Sequence, residues 1–208
     1  QHYLPIYERH FSKFKGAEVH VVEIGVFSGG SLDMWRDYFG PRCHVYGVDV
    51  SPECQSYQAP GVDIFIGDQA DKSFWKEFVG KVPQIDIVID DGGHRMFQQV
   101  ATLEALLPHI KPGGVYLCED ICNEYNPFFD YLFGLSRGLH NFRGEGKKRG
   151  WPPTGVQQMI ESILFYPYVC VIEKRRDRLD RLFSPKHGTE WQPMSFWDHS
   201  RMAKDSAP

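Results

Sequence analysis

Apolar residues fall into five short, β-branched runs over the first 120 positions, at Val19–Ile24, 44–50, 62–67, 85–89 and Val115–Cys118. Runs of this length between glycines and polar turns predict strands. Between them the spacing changes to the helical period. Leu32 to Phe39 is one such segment, a second holds Phe74, Trp75, Phe78 and Val79 behind the capping residue Asp71, and a third runs from Met96 to Ile110. Lys111-Pro-Gly-Gly114 reads as a stop and a turn before the fifth strand. A leader, residues 2–15, places Tyr3, Tyr7, Phe11 and Phe14 on one helical face. Its structural role is to cover an edge of the core. Its functional role would be to bring Tyr7 or Glu8 over a ligand cleft. Beyond Asp120 the pattern predicts a helix over 126–139, a short helix over 155–160, and a closing hairpin of 162–165 and 168–173 around Tyr166-Pro167. Strands alternating with helices imply an α/β protein with a mainly parallel sheet and right-handed crossovers.

The polar residues that end these runs change the picture from fold to chemistry. The fourth run, Ile85-Asp-Ile-Val-Ile89, reads as a strand buried on both faces, and it stops at Asp90, Asp91 and His94. The fifth stops at Glu119-Asp120. Ligands of open α/β sheets sit beyond the carboxyl ends of the strands. If the two strands are neighbours, about 4.8 Å apart, Asp91, Glu119, Asp120 and His94 share one small volume. Carboxylates that close repel one another unless a proton or a cation intervenes. A metal-assisted site is therefore expected here. An all-oxygen ligand set favours Mg²⁺, and His94 as a ligand would tilt the choice toward a transition metal. The first strand runs into Gly25-Val-Phe-Ser-Gly-Gly-Ser31 and then a helix, the arrangement that cradles nucleotides. Glu23, two residues before the first glycine, would repel a pyrophosphate and suits a cationic end such as an amino acid. Asp49 ends the second strand at the spacing that serves ribose hydroxyls. Asp68 and Gln69 end the third and could reach an adenine edge.

Composition narrows the rest. A chain of 208 residues with net charge -4 suits one α/β domain and argues against a broad nucleic-acid footprint. No apolar run reaches the roughly 18 residues of a membrane span, and no signal peptide is visible. The first residue is Gln1 rather than Met, which reads as a trimmed chain or a piece of a longer one. Five cysteines, an odd number without a Cys-x-x-Cys pair, read as buried free thiols of a reducing, cytoplasmic compartment. One domain is expected over 1–183, with a polar tail from 184 to 208. The glycine-rich stretch 138–153, with Lys147-Lys148-Arg149, is expected to be a lid or substrate loop.

Glu23-Ile-Gly-Val-Phe-Ser-Gly-Gly-Ser31, Asp49, Gly67-Asp-Gln69 and Lys111-Pro-Gly-Gly114, in that order, resemble class I S-adenosylmethionine-dependent methyltransferases. Ile89-Asp-Asp-Gly-Gly-His94 with Glu119-Asp120 is similar, more narrowly, to the metal-dependent sugar O-methyltransferases of macrolide biosynthesis. The leader from His2 to Phe11 resembles theirs as well. The family has Ser where Gly93 stands. The resemblance implies a Rossmann-like fold with a seven-stranded, mainly parallel sheet, an antiparallel closing hairpin and helices on both faces. It implies S-adenosylmethionine and Mg²⁺ as cofactors and a small hydroxylated molecule, a sugar or glycosylated natural product, as substrate, with neither nucleic acid nor membrane as partner and a homo-oligomer as an option. By that resemblance Glu23, Gly25 and Ser31 line the methionine end, Asp49 the ribose, and Asp68, Gln69 and Asp90 the remaining cofactor side. Asp91, Glu119 and Asp120 hold the metal, and His94 is the general base. Two other readings stay open from the residues. One is an NAD-dependent oxidoreductase, opposed by Glu23 and the missing Gly-x-Gly. The other is a cofactor-binding module without chemistry.

Overall fold

The computed structural model describes residues 2–121, 126–141 and 152–182. Seven strands form one sheet: β1 Val19–Ile24, β2 Cys43–Asp49, β3 Val62–Ile66, β4 Ile85–Asp90, β5 Ile110–Cys118, β6 Ile160–Tyr166 and β7 Val169–Lys174. Their order is β3-β2-β1-β4-β5-β7-β6. The first five run parallel, and β7 lies antiparallel to both β5 and β6. The expected α/β architecture with its antiparallel closing hairpin is the one observed. Helices α1 Leu4–Phe11, α2 Gly30–Phe39, α3 Lys72–Lys81, α4 Met96–Leu106, α5 Phe128–His140 and α6 Gly155–Met159 complete the described chain.

The central strands are covered on both faces, so their sequences are apolar nearly throughout. All six residues of β4 are buried. One core lies between the sheet and α3, α4 and α5, built on Val22, Val88, Tyr116, Trp75, Leu103 and Phe128. The other packs Val21, Val45, Ile87 and Leu117 against Phe11 of α1 and Trp35 and Phe39 of α2. Asp71 caps α3 as its sequence position predicts, its carboxylate accepting from the Ser73 amide at 2.8 Å. The leader helix is pinned at both ends of its buried face. Tyr7 stacks on Phe11 with centroids 5.7 Å apart and meets Trp35 edge-on at 5.0 Å. His10 bonds the Tyr166 hydroxyl at 2.8 Å and the Glu173 carboxylate at 3.1 Å.

Two sequence expectations are corrected. The helix begun at Met96 ends at Leu106, a 3-10 turn takes Leu107–His109, and Ile110 opens β5. Pro108 has no amide to continue the helical ladder, and the fully buried Ile110 side chain draws the strand start into the core. Lys111-Pro-Gly-Gly114 is not a turn before the strand but an irregularity within it. Ile85 pairs with Ile110 and Ile87 with Val115, so the residues between loop out of register. Gly113 takes φ +80 there, a conformation that favours glycine. The two hairpin strands also run longer than their apolar cores suggest. Of the stretch expected to be a lid, 138–140 end α5 and 152–154 lead into α6, where Thr154 hydroxyl donates to the Gly138 carbonyl at 3.3 Å. Residues 142–151, with the basic cluster, and the 184–208 tail lie outside the described residues.

Candidate active site

Strand register builds the site. Val48, Ile24, Asp90 and Cys118 are paired in one row across β2, β1, β4 and β5. The next residues, Asp49, Gly25, Asp91 and Glu119, therefore stand at one level at the carboxyl ends. The strand order reverses between β1 and β4, the switch point at which ligands of such sheets bind. Gly25, at φ +92, lies against the Asp91 carbonyl across that point. A Cβ there would come within 2.2 Å of the Asp91 oxygen.

A cleft of ≈ 550 Å³ opens above this row. Gly25, Phe27, Asp49, Asp68, Gln69, Asp91, His94 and Asp120 all line it. Phe27, His94 and Asp120, at φ 48, 53 and 48, are three of the four described non-glycine residues with positive φ. Backbone strain of this kind is held only where surrounding structure enforces it. At Phe27 the enforcement is visible. Asp49 accepts from the Phe27 amide at 3.0 Å with one oxygen and from the Ser51 amide at 2.8 Å with the other. Burial raises the Asp49 pKa, but these amide bonds outweigh it and hold the carboxyl below its usual range. The ring of Phe27 stays 87% exposed at the cleft mouth.

Among the described residues, the carboxylates of Asp91 and Asp120 and the His94 imidazole offer atoms that all lie within 4.8 Å of one another. The acids pay electrostatically for their closeness. Burial, then the Asp120 charge, pushes Asp91 up to about 6. Burial, then the charges of Asp91 and Asp120, pushes Glu119 up to about 8, against the pull of a Tyr7 hydrogen bond. A dication between Asp91 and Asp120 would relieve that repulsion, so the residues fit a bound metal. Two carboxylates suit a hard ion such as Mg²⁺, and the imidazole widens the range toward transition metals. Glu23 lies beneath, buried, its Oε1 accepting from the Trp35 indole at 3.2 Å. Its Oε2 is buried without a hydrogen-bond partner among the described residues. Burial pushes Glu23 up to about 7, against the pull of the nearby Ser31 and of the Trp35 indole. An orphaned buried oxygen of this kind is fitted to a cationic or N–H donor from outside.

The sequence-predicted residues divide into two groups. Gly25, Asp49, Asp68, Gln69, Asp91, His94 and Asp120 come together around the cleft, whereas Glu23, Ser31, Asp90 and Glu119 do not line it. Asp90 faces the core. Its oxygens accept from Gln69 Nε2 at 2.5 Å and from the Tyr116 hydroxyl at 2.7 Å, so this acid ties the loop after β3 to the ends of β4 and β5. Gln69 is committed at both ends of its amide, because its Oε1 accepts from the Gly93 amide at 2.9 Å. The Asp68 carboxylate accepts from the Ala70 amide at 2.8 Å. Glu119 is buried and takes a hydrogen bond from Tyr7 at 2.5 Å; of the four groups expected to share one volume, Asp91, His94 and Asp120 offer atoms within 4.8 Å of one another. Tyr3, unassigned from sequence, donates to Asp120. Its helical spacing from Tyr7 was the only available signal.

Residues 22–121 match the family model described as a methyltransferase domain. Among curated proteins, the chain is 34% identical over 192 residues to the 8-demethyl-8-alpha-L-rhamnosyl tetracenomycin-C 2'-O-methyltransferase of Streptomyces olivaceus, covering 83% of this chain and 50% of that protein. It is 37% identical over 197 residues to the mycinamicin VI 2''-O-methyltransferase of Micromonospora griseorubida, covering 84% of this chain and 48% of that one. Among solved structures, it is similar to the MycE methyltransferase of the mycinamycin pathway in complex with Mg, SAH and mycinamycin VI. That match has a TM-score of 0.74 at 27% identity and covers 97% of this chain and 54% of that one. The chain thus spans about half the length of the curated relatives it matches.

Proposed function

We propose that the chain, whose residues 22–121 match the model of a methyltransferase domain, carries an S-adenosylmethionine-dependent, magnesium-assisted O-methyltransferase. Its substrate is a hydroxyl of a small molecule, a sugar or a glycosylated natural product. The observation that carries the proposal is the convergence of Asp91, His94 and Asp120 at the edge of a cleft that also holds Gly25 and Asp49. The names of the two relatives, both O-methyltransferases and one of them acting on a rhamnosyl compound, support the substrate class.

In this reading Asp91 and Asp120 hold the metal, with Glu119 behind them. Bound magnesium supplies Lewis-acid polarisation and a template for neighbouring hydroxyls. His94, at the exposed lip, holds the proton of the substrate hydroxyl on an imidazole nitrogen. Asp49 takes the ribose hydroxyls of S-adenosylmethionine with the capacity its backbone amides leave. Glu23 Oε2 faces the methionine end, whose ammonium answers the missing partner. The chain's contribution is placement of charge in a cleft closed on one side by the sheet. Asp90 and Gln69 serve by fixing the strand ends on which these groups stand.

No helix among the described residues is long and apolar enough to cross a membrane. A cytoplasmic place is part of the proposal, supported by the four buried free cysteines among the described residues. So is the lack of a nucleic-acid partner, supported by the sequence pI of ≈ 6.1. A homo-oligomer is supported by the exposed rings of Phe133 and Phe165, 5.6 Å apart beside the edge strand β6.

The test is calorimetric titration of S-adenosylmethionine into the protein with Mg²⁺ and with EDTA, repeated on Asp91→Ala. Cofactor binding that survives EDTA, with magnesium uptake lost in Asp91→Ala, is the expected result. Absence of cofactor binding under both conditions overturns the proposal.

A further inference from the structure

Two tyrosines of the leader helix reach the acids at the end of β5. The Tyr7 hydroxyl donates to Glu119 Oε1 at 2.5 Å, and the Tyr3 hydroxyl donates to Asp120 Oδ1. The tyrosines are one helical turn apart, and the acids are consecutive. These pairs are separated by 112 and 117 positions in the chain. A carboxylate ionised by a neighbouring cation can only accept, and a phenol beside it supplies the donor. Such charge-assisted bonds are about twice as strong as neutral ones.

The directions of these hydroxyls are set by packed structure rather than by solvent. Tyr7 is 9% exposed and Glu119 5%. The Tyr7 ring is clamped between a stack on Phe11 and the edge of Trp35. Asp120 sits at φ 48, in the left-handed region that Asp tolerates better than most residues. Helix docking alone does not explain the arrangement, because Ile6 and the fully buried Phe11 already bury the apolar face. Both hydroxyls instead converge on the acids that flank Asp91 and His94.

We propose that Tyr3 and Tyr7 are positioning residues of the cation site, fixing the Asp120 and Glu119 carboxylates and thereby setting the affinity of the cleft for a divalent cation. The inference rests on reading this cleft as a magnesium-assisted transferase site. It adds a link from the leader helix to the metal. Coupling of this kind is reciprocal, so cation binding in turn secures α1 against local opening.

The experiment titrates the full chain with Mn²⁺, a paramagnetic stand-in for magnesium, and reads free and bound ion by electron paramagnetic resonance. Wild type is compared with Tyr3→Phe, Tyr7→Phe and the double variant, which keep the rings and remove the hydroxyls. Tyr38→Phe, which loses a bond to the exposed Glu8, is the control. Each site variant is expected to bind Mn²⁺ about 10-fold more weakly, the usual loss when a partner of a metal ligand is removed. Tyr38→Phe is expected to match wild type. Hydrogen exchange adds a readout that simple helix fastening would not move. Protection of residues 4–11 rises on adding Mn²⁺ in wild type and fails to rise in the double variant. If Tyr7→Phe does not fold, Tyr3→Phe, whose ring is only partly buried, carries the test. Mn²⁺ binding by wild type and by the site variants within twofold overturns the inference and leaves the cleft reading intact. No Mn²⁺ binding by wild type overturns the cleft reading and the inference with it.

Discussion

The ends of β4 and β5 carry matching acidic pairs, Asp90-Asp91 and Glu119-Asp120, and the structure treats them differently. In each pair the first acid is buried and takes a tyrosine hydroxyl, while the second faces the cleft. At β4 the anchoring groups, Tyr116 and Gln69, belong to the sheet or its immediate margin. At β5 they are Tyr7 and Tyr3, carried by a helix that packs on the sheet from the start of the chain. The β4 end is therefore as rigid as the sheet core. The β5 end is as firm as the docking of α1. A cation shared by Asp91 and Asp120 would be held by one fixed ligand and one whose position depends on a separable element.

That contrast can be broken from either side. Phe11→Ala removes a fully buried ring from α1 and should lower unfolding free energy by about 3–5 kcal/mol in chemical denaturation. Hydrogen exchange should then show α1 opening well before residues 85–90. Equal loss of protection at both places would end the distinction. Asp90→Ala strands the Tyr116 hydroxyl and the Gln69 amide in the core, and on the order of 3 kcal/mol should be lost. Asp91→Asn, one residue on, should change metal-free stability by about 1 kcal/mol or less, because its acid is strained by Asp120 rather than satisfied. A large loss in Asp91→Asn would mean that it, too, is a structural residue.

Glu23 sharpens the comparison through pH. Its folded pKa, about 7, lies above the ordinary 4.5, so between those values the folded chain binds more protons than the unfolded one. Stability from this group is complete below pH 4.5 and is lost as pH rises through 7. Glu23→Gln should therefore gain on wild type by about 2–3 kcal/mol between pH 5 and pH 8, measured by urea denaturation without cofactor. A constant gap across that range would show that Glu23 is not held protonated. The smallest effect is expected on the outer face of the leader. Lys15→Ala breaks an exposed ion pair with Glu8, and no measurable change in the urea midpoint should follow.

The strands were legible because a sheet covered on both faces admits little but β-branched and aromatic residues, as Ile85 to Ile89 illustrate. The glycine turn at Gly25 and the cap at Asp71 were legible because their backbone demands are local. Asp91, Asp120 and His94 were legible as polar residues at strand ends, where the fold gathers ligands. Less visible was the division of labour within each acidic pair. Asp90 and Asp91 are the same residue type in adjacent positions, and only the pleat sends one to the core and the other to the cleft. Gln69 reads as a surface amide until Asp90 and the Gly93 amide are seen to use it up. The loop within β5 was hidden because Lys-Pro-Gly-Gly is a turn signal whether it ends a strand or swells one.

What the sequence determined by itself is the order of strands and helices, the side of the sheet on which chemistry is possible, and the stock of carboxylates and imidazole available there. Those follow from short-range steric preference and from the periodicity of apolar residues, which act within about ten neighbours. What the tertiary structure decided is which of those groups meet. Tyr3 reaches Asp120, Tyr7 reaches Glu119, and His94 joins Asp91 and Asp120. Such contacts depend on parallel register and on where α1 docks. Both are settled by burial of apolar area across the whole domain, a quantity to which no local stretch of sequence has access.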